Sequence, residues 1–215
     1  MMREVGRLHV ITDAGGQDRW SHLEIAQMAL AGGADVIQLR EKQASTRAQI
    51  EIARAMVEAC RRAGATLMVN DRVDVALASD AGGVHLGRDD FPVSLARELL
   101  GPDRLIGASA RSIAEAETAA RAGADYVGVG PAYPSGSKAD TGPVLGPEGI
   151  GSIAAGVEIP VIAIGGIALE TAPAILGAGV HGLAVISAVS RAEDPTAAAR
   201  ALREAIDRAL GEVRP

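Results

Sequence analysis

The sequence predicts an α/β fold, a single (β/α)8 barrel of the TIM type covering residues 1–215. Three observations predict it. Short aliphatic, β-rich runs alternate with helical patterns from end to end, eight of each. No linker or shift in composition interrupts the series. Polar side chains crowd the C-terminal end of nearly every strand, and a closed barrel gathers those ends at one mouth. A doubly wound open sheet is the alternative architecture, and it would spread the same ends along an edge.

The first strand, Leu8–Thr12, is followed by Asp13, and a helical pattern follows at Leu23–Ala31. Strand two, Asp35–Leu39, meets the polar cluster Gln38-Leu39-Arg40-Glu41-Lys42 before a long helical pattern at Thr46–Ala63. Strand three, Thr66–Asn70, ends in Asn70-Asp71-Arg72 and leads to a helix at Val73–Ser79. Gly83–Leu86 carries His85 and precedes Asp90 and a Pro-initiated helix, Pro92–Leu100. Leu105–Ser109 is followed by Ser112–Ala122, and Tyr126–Val129 by the long segment Gly130–Gly146 and a helix at Gly146–Ala155. Val161–Ile164 closes on Gly165-Gly166 before Leu169–Leu176. Gly182–Ile186 reaches Ser187, and Pro195–Leu210 is the last helix. A weak repeat punctuates the series: Ala31-Gly32-Gly33-Ala34, Ala63-Gly64-Ala65, Ala122-Gly123-Ala124 and Ala178-Gly179-Val180 each close a helix and open a strand. Glycine after the last helical turn takes the left-handed cap without a Cβ penalty.

Composition narrows the function. Hydrophobic residues make up 48% but aromatics only 2%, so aliphatic side chains and alanine must fill the core. A net charge of −6 argues against general nucleic-acid binding, which needs a basic face. The single cysteine, Cys60, permits no disulfide within the chain. No apolar run approaches a membrane span, and Met1-Met2-Arg3-Glu4 passes into a strand pattern without a secretory h-region, so a cytoplasmic location is expected.

The strand ends carry the chemistry. A buried strand that finishes in three charges within five residues, Arg40, Glu41 and Lys42, is delivering side chains to a site, although Arg40 and Glu41 could also form a structural ion pair. Asp71 and Asp90 form a carboxylate pair with no spaced histidines or cysteines, which suits Mg2+ shared with a substrate phosphate rather than zinc. The competing reading makes Asp90 the cap of the helix at Phe91-Pro92. His85 fits either a ligand or a satisfied strand histidine. Gly165-Gly166 and Ile186-Ser187 end strands seven and eight, where barrels commonly hold a phosphate. Ser135-Gly136-Ser137-Lys138 offers hydroxyls, amides and an ammonium to a second anion, without Walker spacing. This layout implies two phosphorylated substrates, or one substrate with two phosphates.

Five ordered segments carry a resemblance: Val36-Ile37-Gln38-Leu39-Arg40-Glu41-Lys42, Val69-Asn70-Asp71-Arg72-Val73-Asp74, Gly83-Val84-His85-Leu86-Gly87, Asp125-Tyr126-Val127-Gly128-Val129-Gly130-Pro131 and Ala163-Ile164-Gly165-Gly166-Ile167. Together they resemble the thiamine-phosphate synthase and TenI superfamily, from about Leu8 to the final helix. The resemblance implies a Mg2+-dependent transferase of thiamine biosynthesis. It condenses hydroxymethylpyrimidine diphosphate with a thiazole phosphate, and a dissociative path through a pyrimidine carbocation yields thiamine phosphate and pyrophosphate. By the same resemblance Gln38, Leu39, Arg40, Glu41, Lys42 and Asn70 bind the pyrimidine diphosphate, and Asp71 and Asp90 ligate Mg2+. Ser109 meets the pyrimidine, Lys138 the pyrophosphate, and Ser135, Gly136 and Ser137 face the thiazole substrate. Gly165, Gly166, Ile186 and Ser187 cradle its phosphate. Arg40, Lys42, Lys138 and Ser109 are the expected catalytic set.

This chain departs from the family pattern at three places. Serines stand where Thr-x-Thr-Lys is common, Arg111 where relatives usually carry histidine, and Arg88 where glutamine is common. The alternatives are a thiazole tautomerase and a non-catalytic phosphate-binding barrel. The tautomerase branch uses a histidine at the position of Arg111, and arginine cannot act as a base at neutral pH. The partners expected are phosphorylated small molecules, with no nucleic acid and no membrane; a homo-oligomer is left open.

Overall fold

The computed structural model describes residues 4–13, 19–134 and 142–211. Among them eight parallel strands close into one barrel in sequence order. They are β1 (Leu8–Asp13), β2 (Val36–Arg40), β3 (Thr66–Asn70), β4 (Gly83–Leu86), β5 (Leu105–Ala110), β6 (Tyr126–Val129), β7 (Val161–Ile164) and β8 (Gly182–Val185). β8 pairs back onto β1 with Leu8 opposite Leu183, which leaves no sheet edge. The open-sheet alternative is thereby excluded.

Helices α1 (His22–Ala31), α2 (Thr46–Ala63), α3 (Val73–Ser79), α4 (Val93–Leu100), α5 (Ile113–Arg121), α6 (Gly146–Ala155) and α7 (Ala172–Leu176) alternate with the strands. A short α8 (Ser187–Ser190) and a long α9 (Pro195–Leu210) complete the chain. Local chemistry explains these elements. In α1 Ser21 and Glu24 form a reciprocal capping box. In α2 Ser45 caps the start, and Gly64, at φ 70°, ends the helix. Among the buried residues of α2, Gln49, Ala53, Met56, Val57 and Cys60 recur at helical spacing.

Several element ends shift by one residue from expectation, and two differences have a clear local cause. α7 starts at Ala172 rather than Leu169, because the Thr171 hydroxyl and amide bond back to Ala168 in a turn. β8 stops at Val185 because Ile186 caps the four-residue α8, which the sequence reading did not place.

Strand alternation divides the core into two parts. One set of side chains, including Leu8, Val10, Ile37, Leu39, Val69 and Val129, packs outward against the helices. The other set, Ile11, Val36, Met68, Leu105, Tyr126, Ile162 and Ala184, fills the barrel interior. Tyr126 is the largest of the latter, and Gly107 makes room for it. A Cβ on Gly107 would lie 2.2 Å from Tyr126 Cζ and 2.5 Å from His85 Nδ1.

Candidate active site

β1 and β2 end side by side, with Asp13 in register with Arg40. Their side chains form an ion pair, both largely buried. The alternative of an Arg40–Glu41 ion pair is therefore not realised: Arg40 turns inward with the odd-numbered face of β1 and pairs with Asp13, whereas Glu41 lies just past the strand. Glu41 accepts the amides of Gln43 at 2.6 Å and Ala44 at 3.1 Å, and it meets His22 Nε2 at 3.2 Å. Burial pushes the Glu41 carboxyl up, but these amides and His22 outweigh it and hold the group below its ordinary value. His22 also contacts Thr12 Oγ1 at 2.7 Å, so one imidazole ties β1 to the turn after β2. The sequence reading missed His22. It lies directly behind a capping serine, and no spacing in the chain connects it to Glu41.

Lys42 is the exposed cation of this corner, and its Nζ lies 3.5 Å from Asp71 Oδ2. Asp71 follows β3 with φ 64°, a left-handed conformation that aspartate tolerates better than most residues, and its amide donates to the His85 carbonyl at 2.8 Å. Burial first, then the neighbouring Asp90 carboxyl, raises Asp71 to about 6. Asp90 does not cap α4. That helix takes Pro92 as its N-cap, and Asp90 Oδ2 instead accepts the Gly87 amide at 2.8 Å. Two carboxylates with mutual repulsion make a place that a divalent cation would relieve. Among the described residues no group of three or more acidic, histidine or cysteine side chains assembles, so the donor set fits a hydrated hard ion better than zinc. Arg72 has turned to the surface, paired with Asp74 at 2.6 Å and bonded to Thr46.

Beneath this corner the barrel interior holds a short polar chain. His85 Nε2 lies 3.1 Å from Ser109 Oγ, and His85 Nδ1 lies 3.2 Å from the Tyr126 hydroxyl. His85 is thus a satisfied strand histidine that fixes Ser109. Deeper still, His9 packs edge-on against Tyr126 with ring centroids 5.3 Å apart, and its Nε2–H donates to the Gly6 carbonyl. Burial lowers His9 to about 4, so this ring is neutral.

Gln38 is buried on the same inward face as Arg40, and Asn70 ends β3 opposite His85. Leu39 is different: alternation places its side chain in the outer core against the helices, 2% exposed, so that side chain does not line the mouth.

Across the mouth, Gly165, Gly166, Ile186 and Ser187 line one concavity with Ile164, Ile167, Ala184 and Val185. Gly165 and Gly166 have φ of 100° and 65°. A Cβ on Gly166 would lie 2.6 Å from the Pro134 carbonyl, because Ala132 and Tyr133 donate amides to Ile164 and Gly165 and draw the segment after β6 over this strand end. Ser135, Gly136, Ser137 and Lys138 lie outside the described residues.

Comparison with known proteins follows the same lines. A model of the thiamine monophosphate synthase family matches residues 8–189. The chain is 52% identical to thiamine-phosphate synthase of Chloroflexus aurantiacus, over 92% of its own length and 91% of the relative's. It is 45% identical to thiamine-phosphate synthase of Salinibacter ruber, over 98% of this chain and 92% of the other. The solved structure of thiamine phosphate pyrophosphorylase from Pyrococcus furiosus superposes with a TM-score of 0.87 at 44% identity, covering 95% of this chain and 97% of that one. By sequence and by fold, the chain belongs to the thiamine monophosphate synthase family.

Proposed function

We propose that this chain joins hydroxymethylpyrimidine diphosphate to a thiazole phosphate, forming thiamine phosphate and releasing pyrophosphate. The observation that carries the reading is the likeness to thiamine-phosphate synthases across nearly the whole chain. Two distinct anion-competent places on one mouth support it. Lys42 and the Asp71–Asp90 pair stand at strands two to four, and the Gly165-Gly166 and Ser187 concavity stands at strands seven and eight.

In this reading Asp71 and Asp90 hold Mg2+, which when bound supplies positive charge to the diphosphate. Lys42 and Arg40 meet the same anion, and the family resemblance assigns Lys138, outside the described residues, to it as well. Asp13 compensates part of the Arg40 charge, and Asp71 part of the Lys42 charge, with Lys42 the more exposed of the two cations. Charge grows on the diphosphate as its bond to the pyrimidinyl-methyl carbon breaks, so fixed cations stabilise the transition state more than the ground state. Ser109, oriented by His85, contacts the pyrimidine, with Gln38 and Asn70 beside it. The phosphate of the thiazole substrate sits on the main chain of Gly165 and Gly166 and at Ile186-Ser187, and the family resemblance assigns Ser135 and Ser137, outside the described residues, to its ring. The thiazole nitrogen supplies the electron pair for the new C–N bond, so no general base is required.

Among the described residues no helix is long and apolar enough to cross a membrane. A lone, buried Cys60 fits a reducing compartment, and the cytoplasm is the location we assign. Purified protein supplied with both substrates and Mg2+ makes thiamine phosphate, and Asp71→Ala abolishes it. Interconversion of thiazole tautomers without condensation would instead identify a tautomerase.

A further inference from the structure

Arg111 directly follows β5, whose residues Leu105, Gly107 and Ser109 turn into the barrel. Two contacts fix its position. Its amide donates to Glu115 Oε2 at 2.7 Å, and its guanidinium lies so close to Gly142 that a Cβ there would come within 2.2 Å of Nη1. Among the described residues the guanidinium has neither an ion pair nor a hydrogen bond. A half-buried cation with no anion among the described residues is costly, and a site for anionic substrates is where such a charge is put to use.

The surroundings say which anion. Glu115 Oε1 also faces Arg88 Nη1 at 3.8 Å, and Arg88, Asp90, Ser109 and Glu115 line one cavity. Arg111 stands two residues beyond Ser109 and is tied through its amide to Glu115, which lines that cavity, while its guanidinium lies against Gly142 in the segment after β6. Gly165, Gly166 and Ser187 line a separate concavity at the ends of β7 and β8.

We infer that the Arg111 guanidinium contacts the diphosphate of the pyrimidine substrate and holds it as it departs. This assignment rests on the proposed condensation. The C–O bond to the pyrimidinyl-methyl carbon breaks with both electrons passing to the diphosphate oxygen. Arg111 meets that growing charge with N–H donors and transfers no proton, and the thiazole nitrogen's electron pair forms the C–N bond.

The test compares Arg111→Gln and Arg111→Lys with the parent. Binding of inorganic pyrophosphate in the presence of Mg2+ is measured by calorimetry, and KM is measured for each substrate. In Arg111→Gln, pyrophosphate affinity falls about ten- to hundredfold, as for loss of a charged hydrogen-bond partner. The KM for the pyrimidine diphosphate rises while that for the thiazole phosphate holds. Arg111→Lys recovers most of the pyrophosphate affinity, and if Arg111→Gln does not fold this variant carries the test against the parent. Unchanged pyrophosphate binding in Arg111→Gln overturns the inference. So does Arg111→Lys losing as much as Arg111→Gln, which assigns the side chain to packing on Gly142. Pyrophosphate binding needs no turnover, so a parent that binds it but forms no thiamine phosphate fails the proposed reaction and leaves the role of Arg111 to be read separately.

Discussion

Lys42 Nζ lies 3.5 Å from Asp71 Oδ2, so the turn after β2 supplies a cation to the carboxylate that ends β3. On its other side Asp71 meets Asp90, and burial together with that like charge raises it to about 6 despite Lys42. The native state thus keeps a proton on Asp71 at a pH where an unfolded chain, with its ordinary value of 3.8, has lost it. Native protein binds more protons between these two values, so stability falls as pH rises through that window, and the penalty is complete above it. In metal-free buffer Asp71→Asn accordingly melts higher than the parent at about pH 7.5 and level with it below about pH 4. Thermal unfolding at the two pH values checks this.

Mg2+ bound as proposed would compete with the same proton. Calorimetric Mg2+ affinity falls about fivefold between pH 6 and pH 5, and by nearly tenfold per unit below that, one proton being displaced. Asp71→Asn and Asp90→Asn each weaken Mg2+ binding by about tenfold or more at neutral pH. Equal affinity in parent and variants would remove the metal from this pair.

The Asp13–Arg40 pair is largely buried, with side chains 10% and 13% exposed. Removing one partner leaves the other charge uncompensated, so Asp13→Ala lowers stability by about 3 kcal/mol, read from urea unfolding. Exposed pairs such as Arg61–Glu58 serve as controls, and breaking one costs less than about 1 kcal/mol.

Gly107 and Gly64 separate packing from backbone effects. Gly107→Ala drives a methyl into Tyr126 and His85, and it costs about 3 kcal/mol together with most of the activity, since His85 holds Ser109. Gly64→Ala meets no atom within 4 Å and is strained only by its φ of 70°, so it costs about 1 kcal/mol and leaves turnover intact. Paired unfolding curves and rates decide between them.

At the far side of the mouth, Ser187→Ala raises the KM for the thiazole phosphate several-fold and leaves that for the pyrimidine diphosphate unchanged. Steady-state kinetics with each substrate varied in turn provides the reading. An effect on the pyrimidine diphosphate alone would reverse the assignment of the two sides.

The strands were legible because their signals are local. Apolar runs recur eight times, glycine punctuation recurs at four helix ends, polar residues end nearly every strand, and a closed barrel satisfies all of them. The polarity of Gln38 to Lys42 marked a strand end correctly. Its division of labour was not legible, because it depends on parity and on residues far away in the chain. Leu39 points outward by strand alternation, and Arg40 finds Asp13, 27 residues earlier, through register between strands. His22 reaches Glu41 only because α1 packs beside β2. α8 escaped notice because four residues carry no helical period. The Asp90 cap was a sound local inference overridden by the turn at Gly87, which takes the same carboxylate.

Product stoichiometry tests the central claim most directly. Purified protein incubated with hydroxymethylpyrimidine diphosphate, thiazole phosphate and Mg2+ is analysed by chromatography for thiamine phosphate and for pyrophosphate. The account predicts equimolar appearance of both, dependent on both substrates and lost in Asp71→Ala. Pyrophosphate without thiamine phosphate, or neither product while the parent binds both substrates, would contradict it.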